Sequence, residues 1–179
     1  MLALLVAVAL AVPTPPPTHD AARAATAFTQ LTTHVGTWRN ADHPASPLRV
    51  RFSLTANGTV LVEEWRRGAE PHSMTLYHRD GAGLVATHYC PQGNQPRLAL
   101  QPGAIRFALR DATDVDPATE SHQRALAFDL ADPARPVRSE VYREPDGTDE
   151  PSRLVLVRPI PRAAIPRFAS RSMPSAGSA

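Results

Sequence analysis

The chain has 179 residues, nineteen prolines, a single cysteine and no lysine, so all nineteen basic side chains are arginine. That length suits one domain with a real core, and Cys90 has no second cysteine with which to form an internal disulfide. Residues 35–158 hold 15 Arg against 16 Asp and Glu, whereas residues 159–179 add three Arg and no acid. The isoelectric point of about 9.2 therefore overstates the basicity of the folded part, and no nucleic-acid face follows from it.

Leu2 to Val12 (LALLVAVALAV) is an apolar run too short to span a bilayer, and it runs straight into PTPPPT, which cannot continue a helix. The pattern predicts an export signal, giving a periplasmic or extracellular protein, although no Arg precedes the run. The alternative is a buried N-terminal helix in a cytoplasmic protein. Residues 1–19 are thus read as signal and Pro-rich linker, 20–158 as one domain, and 159–179 as a disordered tail of Pro, Ala, Ser and Arg.

A short helix is expected over Ala21 to Val35. Ala24, Phe28, Leu31 and Val35 make one apolar stripe, with Asp20 placed to cap the start and Gly36 to end it. Such a helix would cover one end of a sheet.

From Trp38 the pattern is a meander. Leu48 to Leu54 alternates apolar and polar residues, and Asn57-Gly58 predicts a two-residue hairpin turn that sets Leu54 opposite Leu61, Phe52 opposite Glu63 and Val50 opposite Trp65. Glu63 then points to the apolar side, where a carboxylate needs a partner or a raised pKa. A register one residue off would make Glu64 the inward acid instead. Ser73 to Cys90 forms the next hairpin, turning at Asp80-Gly81 and placing Thr75 and Tyr77 on the face of Leu84, Ala86 and His88, with Tyr89 on the other. Either face could be interior. The polar loop Pro91 to Pro96 sets Asn94 and Gln95 beside a strand end. Leu98 and Leu100 are expected to pair across Pro102-Gly103 with Ile105 and Phe107, and Gln123 to Leu130, Val137 to Arg143 and Arg153 to Arg158 supply further strands. About ten strands joined by short turns, without crossover helices, predict an all-β fold: an up-and-down antiparallel barrel.

Gly36-Thr37-Trp38 after a short helix, followed by the meander, resembles the calycin superfamily of lipocalins, fatty-acid-binding proteins and nitrobindin-like barrels. MTLYHRDG (Met74 to Gly81) with THYCPQGNQPR (Thr87 to Arg97) resembles more closely an uncharacterised bacterial family of lipocalin-like barrels carrying YHxDG and THYCxxGNQP motifs. In those relatives a His-x-His follows the Asp-rich loop, where this chain reads His122-Gln123-Arg124. Nitrobindin-like barrels hold haem through a His near the C-terminus. No His follows His122 here, so the resemblance implies no haem, and no other cofactor is expected. The lipocalin arginine that packs across the GxW tryptophan would be Arg153 or Arg158.

A barrel of this strand number can hold one small, partly apolar molecule, oriented by a few inward polar groups. Candidate contacts are Glu63, Trp65, Tyr77, His88, Tyr89, Asn94, Gln95 and His122. Two other functions compete with binding. One is an enzyme or metal site using His88, His122 and Glu63, for which no HExxH or paired CxxC motif speaks. The other is a structural envelope protein without a ligand, whose tail, with three Arg, falls short of a polybasic cluster.

Overall fold

The structure is a computed structural model that describes residues 19–159; the expected signal and nearly all of the expected tail lie outside them. One helix, α1 (His19–Thr32), precedes β1 (Gly36–Asn40), β2 (Leu48–Thr55), β3 (Val60–Arg67), β4 (Glu70–Asp80), β5 (Gly83–Tyr89), β6 (Gln95–Leu100), β7 (Arg106–Thr113), β8 (His122–Asp129), β9 (Val137–Arg143) and β10 (Asp149–Val157). Each strand pairs antiparallel with its neighbour in sequence, and β10 returns to β1, so the sheet closes on itself as a barrel. Closure removes the free edges that an open sheet of this size would expose. No helix among the described residues is long and apolar enough to cross a membrane.

Local chemistry explains the first hairpin. The connection is longer than the expected two residues, running from Ala56 to Thr59 between Thr55 and Val60; Ala56, Asn57 and Gly58 all have positive φ (49°, 55° and 83°), and Thr59 N–H donates to the Ala56 carbonyl at 3.2 Å. The expected register follows, with Leu54 opposite Leu61, Phe52 opposite Glu63 and Val50 opposite Trp65. In the β4/β5 hairpin Thr75 pairs with His88 and Tyr77 with Ala86. These four are fully or almost fully buried, so their face is the interior one, and Tyr89 points outward at 44% exposure.

Three expectations need correction. Val35 does not extend the helical stripe; α1 ends at Thr32 and Val35 is 41% exposed, while Ala27 joins Ala24 and Leu31 in the buried face. Asp20 is not a cap but lies within the first turn, paired with Arg23 at 3.0 Å. Leu98 pairs with Leu109 and Leu100 with Phe107, because the turn between β6 and β7 is longer than two residues and holds Ile105; a bulge follows between Arg97 and Leu98.

The core runs from α1 through the barrel: Leu31, Trp38, Val50, Phe52, Leu61, Leu84, Leu98, Phe107, Leu126 and Leu156 are all buried. Phe128 meets Phe52 and Tyr77 edge-on at centroid distances of 6.4 and 6.0 Å, and Tyr77 meets Phe107 at 5.7 Å. Side chains in such contact leave no open lumen at mid-height.

Where α1 hands over to β1, Trp38 donates its Nε1 hydrogen to the His34 carbonyl at 2.7 Å. The Arg158 guanidinium lies 3.9 Å from the centre of the Trp38 ring and donates to the Val35 carbonyl at 3.1 Å. Of the two arginines expected there, Arg158 takes the position. Gly36 is required on two counts: its φ is +126°, and a Cβ would collide with the Arg158 guanidinium. Gly36→Ala is expected to cost about 2 kcal/mol in urea unfolding. The double variant Gly36→Ala/Arg158→Ala should recover the part of that loss due to the collision.

Candidate functional site

Alternation along β9 puts Arg138, Glu140 and Tyr142 on the interior face, with Val137, Ser139 and Val141 outside, the reverse of the usual apolar-in arrangement. Arg138 is 1% exposed and Glu63, on β3, is 0% exposed. The Arg138 Nε lies 2.6 Å from Glu63 Oε1, and its Nη1 lies 2.8 Å from Glu140 Oε2. One buried guanidinium thus serves two carboxylates. The Trp65 ring lies under it, with the guanidinium carbon 4.8 Å from the ring centre. Glu63 also accepts hydrogen bonds from Trp65 Nε1 at 2.5 Å and from the Tyr77 hydroxyl. This is the partner that an inward Glu63 demanded.

Glu140 is held just as closely. It accepts from Gln123 Nε2 at 2.8 Å and from the Ser152 hydroxyl at 3.1 Å. Burial alone would raise its pKa, but the Arg138 charge and hydrogen bond, with that of Gln123, bring it below the ordinary carboxylate value. Burial and the Glu63 charge push the Tyr77 hydroxyl well above the usual phenol range. For Arg138 the two carboxylate charges outweigh burial and hold it charged.

His88 forms the adjoining wall. Its Nδ1 is 2.9 Å from the Thr75 hydroxyl and its Nε2 is 3.0 Å from the Tyr142 hydroxyl. Burial, reinforced by the Arg138 charge, lowers its pKa to about 4, so the ring is neutral at physiological pH. Burial likewise raises the Cys90 thiol, which is no activated nucleophile.

Of the eight predicted residues, the fold therefore gathers Glu63, Trp65, Tyr77 and His88. Tyr89 faces away from the interior. Asn94 is fully buried and ties the β5/β6 loop to the start of β8, donating to the Ser121 carbonyl at 3.1 Å and to Glu120 at 3.4 Å. Gln95 donates to the Gly93 carbonyl. Both amides fasten loops. His122 lies on the wall side of β8, opposite Arg143. Arg138, Glu140, Tyr142 and Gln123 were missed. The signal for them was present in VRSEVYR, whose Arg138, Glu140 and Tyr142 occupy alternate positions and could have been matched to the unpaired Glu63.

The same geometry limits the chemistry. Among the described residues no group of three or more His, Cys, Asp or Glu side chains is placed to hold a metal ion. A hollow of about 680 Å³ lies near α1, lined by residues such as Gln30, Ile105, Arg106 and Leu130, and none of the predicted site residues lines it. Three atoms of the buried cluster have no hydrogen-bond partner: Oε1 of Gln123, Nη2 of Arg138 and Nε of Arg138, the last of which meets Glu63 only as an ion pair. Both side chains reach the same Glu140 Oε2, so the free Nη2 donor and the free Oε1 acceptor belong to neighbouring groups. Trp65, Glu140 and Tyr142 are only half-buried, which brings solvent within one side chain of them.

No protein-family model matches the chain, and no curated protein matches it in sequence.

Proposed function

We propose that the chain is an exported lipocalin-like binding protein that takes a small, partly apolar molecule over the Glu63, Arg138 and Glu140 cluster. A closed antiparallel barrel can hold one small ligand in its interior. With the middle filled by aromatic and aliphatic side chains, the place for it is beside the half-buried Trp65, Glu140 and Tyr142. The observation that carries this reading is the unpartnered pair, Arg138 Nη2 and Gln123 Oε1. Buried polar groups left unmet are costly, and a ligand hydroxyl or amide, both donor and acceptor, meets the two at once. The meander and the Arg158 to Trp38 contact support the lipocalin-like part of the proposal, and the apolar run Leu2 to Val12 supports export.

Native mass spectrometry of gently purified full-length chain tests the reading. An added mass is expected that leaves on unfolding, and Gln123→Leu, which removes the free acceptor, should lower its occupancy. A chain that carries no added mass, and gains none from a metabolite extract, would defeat the proposal. N-terminal sequencing of the exported material tests the signal separately.

A further inference from the structure

The pairing of β7 with β8 has only three rungs, Arg106 with Ala127, Phe107 with Leu126 and Ala108 with Ala125. Beyond them Leu109 to Thr113 and His122 to Arg124 run side by side without a rung, although β7 stays paired to β6 and β8 to β9 over the same stretch. A hollow of about 360 Å³ lies at this parting, lined by Ala108, Leu109, His122, Arg124 and Arg143. No acidic side chain lines it.

We propose that this cleft is a binding site for a small carboxylate, separate from the interior cluster. Arg124 and Arg143 approach it from β8 and β9 and share one counter-ion, with Arg124 Nη1 2.6 Å from Asp149 Oδ2 and Arg143 Nε 2.7 Å from Asp149 Oδ1. Two guanidinia on one carboxylate leave a charge of +1, and each arginine keeps donors that Asp149 does not use. Asp149 bridges the two guanidinia and brings them together beside the cleft. His122 adds a third group. It is 8% exposed, and its Nδ1 has no hydrogen-bond partner. Opposite these polar groups, Ala108 and Leu109 give an apolar wall, and Leu109 is 36% exposed in spite of its type. A single net positive charge facing a small apolar wall matches a monoanion on a carbon body better than a highly charged phosphate.

The test uses full-length chain, with benzoate as the probe and benzamide as its neutral isostere, followed by amide NMR shifts. Benzoate is expected to shift the Ala108, Leu109 and His122 amides saturably, with benzamide about fivefold weaker, the upper margin for an exposed ion pair. The affinity should fall as salt is raised, because the arginine side chains are 42% and 36% exposed. Arg143→Gln should weaken benzoate about fivefold or more, and Arg124→Gln should do the same, so one of the two suffices if the other fails to fold. Equal affinities for the two probes, no saturable shift at these amides, or unchanged binding in a folded arginine variant would each overturn the site. Because the interior cluster is untouched by these substitutions, any mass retained through Gln123 stays measurable in them, and the two proposals fail separately.

Discussion

Replacing Arg138 by methionine is expected to destabilise the protein by about 3–5 kcal/mol, the usual cost of stranding a buried charge without its partner. The substitution keeps an unbranched apolar stem but removes the guanidinium that lies over Trp65, and it leaves Glu63 and Glu140 with no cation between them. Both carboxylates would then have to take up protons or draw in water. If that cause is right, Arg138→Met combined with Glu63→Gln and Glu140→Gln should win back most of the loss, since a neutral cluster pays little for desolvation. Urea unfolding at constant m-value decides between the variants. A loss below about 1 kcal/mol in the single variant would mean that the triad behaves as a surface pair does.

Acid should weaken the fold from about pH 6.5 downward. The unfolded chain protonates His88 near its ordinary value of 6.5, whereas the folded chain holds it neutral down to about 4. Between those values the unfolded state binds more protons, so stability is complete above pH 6.5 and declines as the pH falls toward 4. The shift corresponds to roughly 3 kcal/mol across the window. His34 and His72 are also lowered, chiefly by burial, and act in the same direction. His88→Gln, which keeps a group able to bond Thr75 and Tyr142, should flatten the slope of unfolding free energy against pH between 6.5 and 4.5. An unchanged slope would show that His88 charges as freely in the fold as outside it.

Sequence alternation was enough to place most of the strands, because a period of two over five to eight residues says which side chains share a face. It could not say which face is interior. In β4 and β5 the answer came from three-dimensional closure, which put Thr75, Tyr77 and His88 inside and left Met74 and Tyr89 partly exposed. In β9 the apolar set was the wrong guide. Val137 and Val141 lie on the outer face because the interior there is a polar layer built around Glu63. The inward Glu63 was legible from the Asn57-Gly58 turn, because a turn centred on those two residues sets the hairpin register. Its counter-ion was not, because five strands separate Arg138 from it in sequence and the two join only across the closed barrel. The pairing of β6 with β7 was misread because the turn between them is longer than Pro102-Gly103 alone, and the bulges at Arg97/Leu98 and Gln123/Ala125 are features that no alternating pattern announces.

The barrel is joined between its first and last strands by a short seam, Arg39 against Val157 and Asn40 against Leu156, with Arg158 laid over Trp38 just beyond it. Every other pairing in the sheet is between neighbours in sequence and can zip progressively from its own turn. This one joins segments more than a hundred residues apart, so its loop-closure entropy falls due all at once. The strand meander is therefore expected to assemble early as an unclosed sheet, with circularisation as the slow and final event in folding. Until that moment the backbone edges of β1 and β10 stand open to any other extended chain, which makes the growing polypeptide most vulnerable to misassociation when it is nearly complete.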